Sequence, residues 1–208
     1  VSPEIEAIAL QMSLAMAKIS ACQSVEKVIS AKFLEAIERG EDLQGAVEVR
    51  AVQKEPKFSL TEFRKAHKDL ASSYDESSPE WHQKFQSLVK AADFESLDGD
   101  FKAELAQIVA FVESVTDSKS AHLLNEPKLE LIRLRTSAEW DLDLATAELK
   151  IQVGTASGIE GICTWERGYK PKKAFNKGKF AAEHPDLYME FTLTPAVYRA
   201  IIESKKKK

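Results

Sequence analysis

Apolar residues recur every three or four positions along the first 37 residues: Ile5, Ile8, Met12, Ala15, Ile19 and Cys22, then Val25, Val28, Ile29, Phe33 and Ile37. That spacing lines one face of a helix with 3.6 residues per turn. Ser2 suits the N-cap, Pro3 the first helical position, and Glu4 and Glu6 the positive end of the dipole. Gly40, in "RGED", stands where the stripe ends. The pattern predicts a helix of up to about 36 residues, about 54 Å long. A break at "SACQS" (20–24) would instead make a helical hairpin.

Further along, "AVEVRAV" (46–52) alternates and predicts a short strand. "SLTEF" is a capping box, Ser59 with Glu62, opening a helix through Leu60, Phe63, His67 and Leu70. "SSPEW" repeats a cap-plus-proline start at Ser78 and Pro79, predicting a helix with Trp81, Phe85, Leu88 and Val89 inward. "DGDFKAELAQIVAFVESV" predicts an amphipathic helix through Phe101, Leu105, Ile108, Val112 and Val115. Residues 117–127 read as a loop, 128–134 as a strand or a helix opened by Pro127, and 136–153 as helix. Helix is expected to dominate residues 1–116, with Ile8, Met12, Ile19, Phe63, Trp81, Phe85, Leu105, Ile108 and Val112 in the core.

After Val153 the texture changes. "GTASGIEG" reads as a turn, "ICTW" as β-prone, and "HPDLYMEF" and "TPAVYRAII" each as a proline-started helical turn. No internal repeat stands out. The expected fold is mainly α: a helical body over 1–153, with a small mixed α/β C-terminal module over 154–208.

Composition narrows the class. With 44% hydrophobic and 30% charged residues in 208, the chain is globular rather than disordered. The apolar run Ala7–Cys22 is interrupted by Gln11, Ser13, Lys18 and Ser20 and falls short of about 20 residues, so no membrane span or signal peptide is expected. Cys22 and Cys163, far apart in sequence, make no disulfide framework, which favours a cytoplasmic protein. Net charge is −4, but residues 1–150 hold 18 Lys and Arg against 27 Asp and Glu, whereas 151–208 hold 11 against 6. The asymmetry points to a polyanion or an acidic partner for the C-terminal part.

Chemical motifs are sparse. His67, His82, His122 and His184 have no ligand-pair spacing, so neither metal nor cofactor is expected. Cys163, between Ile162 and Thr164, reads as a buried structural thiol, and the glycines of 154–161 lack the frame of a phosphate loop. Asp141, Glu148 and Lys150 superficially match a metal-dependent nuclease set. On a helix, though, positions i and i+2 diverge by about 200°, so a charged helix face is expected there. The concentrated signal is "GYKPKKAFNKGKF" (168–180): Arg167, Lys170, Lys172, Lys173, Lys177 and Lys179 interleave with Trp165, Tyr169, Phe175 and Phe180, without an acid among residues 167–180. Lysines neutralise phosphates and rings stack on bases, so Arg167, Lys170, Lys172, Lys173, Lys177, Lys179, Trp165 and Tyr169 are the candidate nucleic-acid-binding residues. Pro171 and the flanking glycines predict a loop with its lysines outward together and Trp165 as its buried anchor. The terminal "KKKK" reads as a solubilising end.

Residues 149–191 resemble the C-terminal tail of phage YqaJ-type recombination exonucleases. The shared order is a helix ending in Gly154, then Ile159-Glu160-Gly161, Thr164-Trp165, Phe175, Phe180 and His184-Pro185-Asp186-Leu187-Tyr188. That family acts on DNA ends with a metal-dependent nuclease core placed before the tail, and the first 148 residues here lack that core. The resemblance implies a phage-like origin and a link to DNA recombination, without catalysis. The expected function is therefore a DNA-metabolism accessory protein that binds nucleic acid through its basic segment. The alternative is a protein-interaction factor, an inhibitor or adaptor of a host nuclease or defence complex.

Overall fold

A computed structural model describes residues 1–44, 47–195 and 198–203, with side chains left aside at 47–52 and 198–203. The "KKKK" end, Ala46 of the first alternating run, and Ala196 and Val197 of "TPAVYRAII" lie outside the described residues. In chain order the helices are α1 Pro3–Glu38, α2 Leu60–Ala66, α3 Lys68–Ser73, α4 Gly99–Ser114, α5 Asn125–Val153, α6 Lys177–Glu183 and α7 Pro185–Glu190. The strands are β1 Val47–Val52, β2 Lys57–Phe58, β3 Asp75–Ser87, β4 Gly158–Ile159, β5 Cys163–Phe175, β6 Thr192–Leu193 and β7 Tyr198–Glu203. The chain is mainly α, with a small mixed C-terminal region. It forms two compact units, one of residues 1–48, 84–166 and 203–208, the other of 49–83 with 167–202. A single division after 153 therefore differs from the grouping observed, in which residues 49–83 join the C-terminal segment.

The first unit is built on α1 and α5. Ser2 Oγ accepts the Ile5 N–H at 3.4 Å, and α1 runs unbroken for 36 residues until Gly40, at φ +74°, turns the chain. No hairpin forms at "SACQS": Ser24 Oγ donates to Ser20 O at 3.0 Å within the helix, and Cys22 is fully buried. Helix α5 runs antiparallel beside α1. Ile8 packs in one cluster with Leu149 and Val153, Arg135 Nε sits 3.3 Å from Glu26, and Lys128 lies over the Phe33 ring. Apart from Ala17, buried positions in α1 (Ile8, Met12, Ala15, Cys22, Ile29, Phe33, Ala36) and in α5 (Leu131, Leu134, Ala138, Ala145, Leu149, Val153) keep steps of three, four or seven, as a packed helix pair requires. By length and composition α1 is also apolar enough to cross a membrane, unlike the shorter run judged from sequence. Its ion pairs to Arg135 and, through Lys18, to Asp98 at 2.7 Å tie it to neighbouring elements.

Helix α4 docks through Phe101, Leu105, Ile108 and Val112. Asp98 caps it, accepting the Phe101 N–H at 2.8 Å, and the Lys18 ammonium holds its carboxyl below the usual range. Residues 118–124 form a 3-10 turn, and 128–134 are helix rather than strand, α5 starting at Asn125 with Pro127 in its first turn.

Two departures from the sequence expectation lie in one sheet. Residues 75–87, expected as a helix started by Ser78-Pro79, are strand β3, and the lysine-rich segment expected as a loop is strand β5. The reason lies in their pairing. Leu88 N–H donates to Ile162 O and Asn176 N–H to Tyr74 O, both at 2.8 Å, and both bonds fit one antiparallel register. Even-numbered positions are therefore the hydrogen-bonded pairs, and Pro79 stands opposite Pro171 in a non-bonded pair, where the missing N–H costs no ladder bond. "TPAVYRAII" departs likewise, with 198–203 forming β7 beside β1.

The second unit closes on an aromatic core of Phe63, Tyr74 and Phe180 with Phe58, Phe175, Tyr188 and Phe191. The expected helix through His67 and Leu70 is two short helices, broken at His67 (φ −134°, ψ 59°). The same break occurs at His184 (φ −134°, ψ 62°) between α6 and α7. These are two copies of one motif, 117 residues apart: Phe58, Ser59, Phe63, His67, Asp69, Leu70 and Tyr74 answer to Phe175, Asn176, Phe180, His184, Asp186, Leu187 and Phe191. Ring geometry repeats with the sequence. Phe63–His67 and Phe180–His184 both have centroids 5.4 Å apart, at 36° and 37°. Phe63–Phe191 is 5.4 Å and Phe180–Tyr74 is 5.2 Å, both edge-on. Ser59 N–H to Phe191 O and Asn176 N–H to Tyr74 O are both 2.8 Å. Phe63 against Phe180, at 4.5 Å, and Phe58 against Phe175, at 5.8 Å, straddle the two-fold axis these pairs imply. The repeat is hard to see in the sequence because its signature is seven scattered positions between divergent ones, Glu62 answering to Lys179 and Arg64 to Ala181.

Candidate nucleic-acid interface

Side chains alternate along paired strands, so the register of β3 and β5 assigns every basic residue of 167–173 to a face. Even positions carry Lys170 and Lys172 of β5 with Glu76, Ser78, Glu80 and His82 of β3. Lys172 Nζ lies 2.6 Å from Glu80 Oε2 and 2.9 Å from its Oε1, a close ion pair on an exposed surface. Odd positions carry Arg167, Tyr169, Pro171 and Lys173 with Ser77, Pro79, Trp81 and Gln83. Those eight positions include no carboxylate.

At the centre of the odd face Trp81 meets Tyr169, edge to face at 5.3 Å and 73°. Closeness follows from the pairing, since opposed residues in non-hydrogen-bonded pairs have Cα atoms only about 4.5 Å apart. Both rings remain open to solvent, Trp81 at 53% and Tyr169 at 74%. Arg167 stands two residues before Tyr169 and Lys173 four after it, so the basic groups bracket the rings over about 20 Å of strand.

The candidate residues therefore do not face outward together. Arg167, Tyr169 and Lys173 share one face; Lys170 and Lys172 hold the other. Lys177 and Lys179 lie on α6, over the rings of Tyr188 at 5.3 Å and Tyr74 at 5.8 Å. Asn176 caps α6, its Oδ1 accepting the Lys179 N–H at 2.9 Å while its Nδ2 donates to Glu76 at 2.7 Å. Trp165 is half-buried against the first unit's core, edge-on to Phe85 at 6.0 Å, and serves as an anchor. Trp81 is the residue that sequence reasoning misplaced: as part of a helix it was assigned to the core, and its partner Tyr169 is 88 positions away.

Elsewhere, Asp141, Glu148 and Lys150 lie on α5, and Lys150 reaches over the Phe85 ring at 5.2 Å. Among the described residues no three His, Cys, Asp or Glu side chains are grouped to hold a metal ion. Both cysteines are buried and free, and burial, with the Glu26 carboxylate adding, pushes the Cys22 thiol up to about 11. Comparison with protein-family models, with curated proteins and with solved structures gave no match to this chain.

Proposed function

We propose that the chain is a non-catalytic, cytoplasmic accessory protein of phage-type DNA recombination that binds nucleic acid, single strands in preference to duplex. One observation carries the reading: two solvent-open rings, Trp81 and Tyr169, lie between Arg167 and Lys173 on a stretch of one strand face, positions 77–83 and 167–173, that holds no acid. Rings stack on unpaired bases, worth about 1–3 kcal/mol per base, while the two cations meet the flanking phosphates. The second unit, with 13 Lys and Arg against 9 Asp and Glu, attracts a polyanion that the first, with 16 against 24, repels. The resemblance of 149–191 to recombination exonuclease tails supplies the DNA context.

The test titrates oligothymidylate while following tryptophan fluorescence. Quenching is expected, with affinity reduced at least about fivefold by Tyr169→Ala. A log–log salt slope of roughly −1.5 is expected, since only two or three cations share the ligand. Charge reversal at Arg167 and Lys173 together should weaken binding more than reversal at Lys170 and Lys172. No binding at low salt, or equal losses from the two pairs, would overturn the reading.

The protein-interaction reading then leads, and one observation favours it. Trp140, Leu144 and Ile151 on α5 are 73%, 62% and 75% exposed; Leu144 lines a depression with Gln11, Leu14, Ala15, Lys18 and Asp141, and Ile151 a second one with Glu4, Ala7, Ile8 and Gln11. Apolar rings and chains so open on an acidic helical surface suit a protein partner.

A further inference from the structure

Helix α5 carries two apolar stripes. The buried one, through Ala145, Leu149 and Val153, packs with Ile8 and Met12 of α1. The other runs through Trp140, Leu144 and Ile151, at steps of four and seven, on positions open to solvent. A helix packed on one side is ordinarily polar on the other, and the described residues leave this second stripe uncovered. Helix α1 supplies the facing wall. Ile151 lines one depression with Gln11, and Leu144 lines another with Gln11 and Leu14, so one seam joins the two. From Trp140 to Ile151 the stripe covers three helical turns, about 16 Å. Its rim is acidic: Glu4 and Glu148 border the first depression and Asp141 the second. Lys18, which also lines the second, is already engaged by Asp98 at 2.7 Å.

We infer that this seam is a docking groove for a basic amphipathic helix of a partner protein. A helix of about 11 residues spans it. Apolar anchors one and two turns apart meet Leu14, Leu144 and Ile151, while lysines or arginines meet the carboxylates of the rim. Charge chooses among the occupants. Residues 1–48 and 84–166 hold 12 Lys and Arg against 23 Asp and Glu. A second copy of this chain would therefore set carboxylates against carboxylates, and a nucleic acid or an anionic lipid surface would set phosphates against them. A cationic helix gains from the rim while it covers the stripe. Docking here is independent of nucleic-acid binding at β3–β5, and it gives the protein-partner reading above a definite chemistry.

Three fluorescein-labelled helical peptides of about 14 residues, titrated with the full chain and read by anisotropy, test this. The first carries leucines at helical spacing and lysines elsewhere. The second has glutamates in place of the lysines, and the third has serines in place of the leucines. Only the first is expected to bind. Leu144→Gln with Ile151→Gln should weaken it at least about tenfold, and Asp141→Lys with Glu148→Lys at least about threefold. Circular dichroism checks that each variant folds. No binding of the first peptide at low salt, or equal binding of the second or third, overturns the proposal. So does an affinity that either folded double variant leaves unchanged. A wild-type dimer that Leu144→Gln with Ile151→Gln dissociates would assign the stripe to a second copy and overturn it too. Oligothymidylate binding should survive Leu144→Gln with Ile151→Gln; its absence from wild type would remove the nucleic-acid function and leave the groove standing.

Discussion

Cys22 shows how a single residue reports on the helix pair around it. It is fully buried on the α1 face turned towards α5, near the Glu26–Arg135 ion pair; burial and then the Glu26 carboxylate disfavour a thiolate, outweighing the opposing Arg135 guanidinium. A thiol that ionises near 9.0 when unfolded and near 11 when folded binds its proton more tightly in the native state. The stability this contributes is complete below pH 9 and is lost as pH rises through 11. The unfolding midpoint should therefore fall more steeply between pH 9 and 11 in wild type than in Cys22→Ala. Native protein at pH 8 should resist thiol labelling until denaturant is added. Rapid labelling of Cys22 in the folded state would contradict this.

At the scale of elements, Gly158 governs how β4 meets β5. It pairs with Thr164 at φ +148°, and a Cβ there would stand 2.3 Å from the Cys163 carbonyl oxygen and 2.9 Å from Thr164 Cα. Both are backbone atoms, so neither can swing aside. Gly158→Ala should cost about 1–3 kcal/mol or more, through strain and the forced shift of the strand. Gly99→Ala, at the first position of α4 with open space around it, is the control and should stay within about half a kcal/mol. Urea midpoints of the two variants measure the contrast. Equal midpoints would mean that β4 does not pack as described.

For the molecule as a whole, the two-fold repeat makes two distant residues equivalent. Phe63 and Phe180 are fully buried against each other, each set in a matching ring of neighbours. Truncating either to Ala should cost about 3–5 kcal/mol, and the two losses should agree within the scatter of such measurements. Trp81→Ala, at an exposed position, should cost less than about 1 kcal/mol while reducing ligand binding. A large stability loss at Trp81, or a marked inequality between Phe63 and Phe180, would break the symmetric description.

Local chemistry along the chain determined the caps, the helix periods and the balance of charge. Ser2, Ser59 and Asp98 with their following turns, the stripes of α1 and α4, and the basic cluster of 167–179 are all short-range patterns whose meaning does not depend on distant residues. Tertiary structure decided the remainder. Whether α1 bends at "SACQS" depended on α5 lying beside it, more than a hundred residues later. Whether Ser78-Pro79 opens a helix or sits in a strand depended on Pro171 across the ladder, because proline is tolerated in a pair that forms no backbone bond. Which lysines share a face depended on strand register, and whether Trp81 is core or surface depended on which residue stands opposite it. A one-dimensional pattern records propensity and periodicity, but pairing across a ladder is a long-range contact that no local window contains.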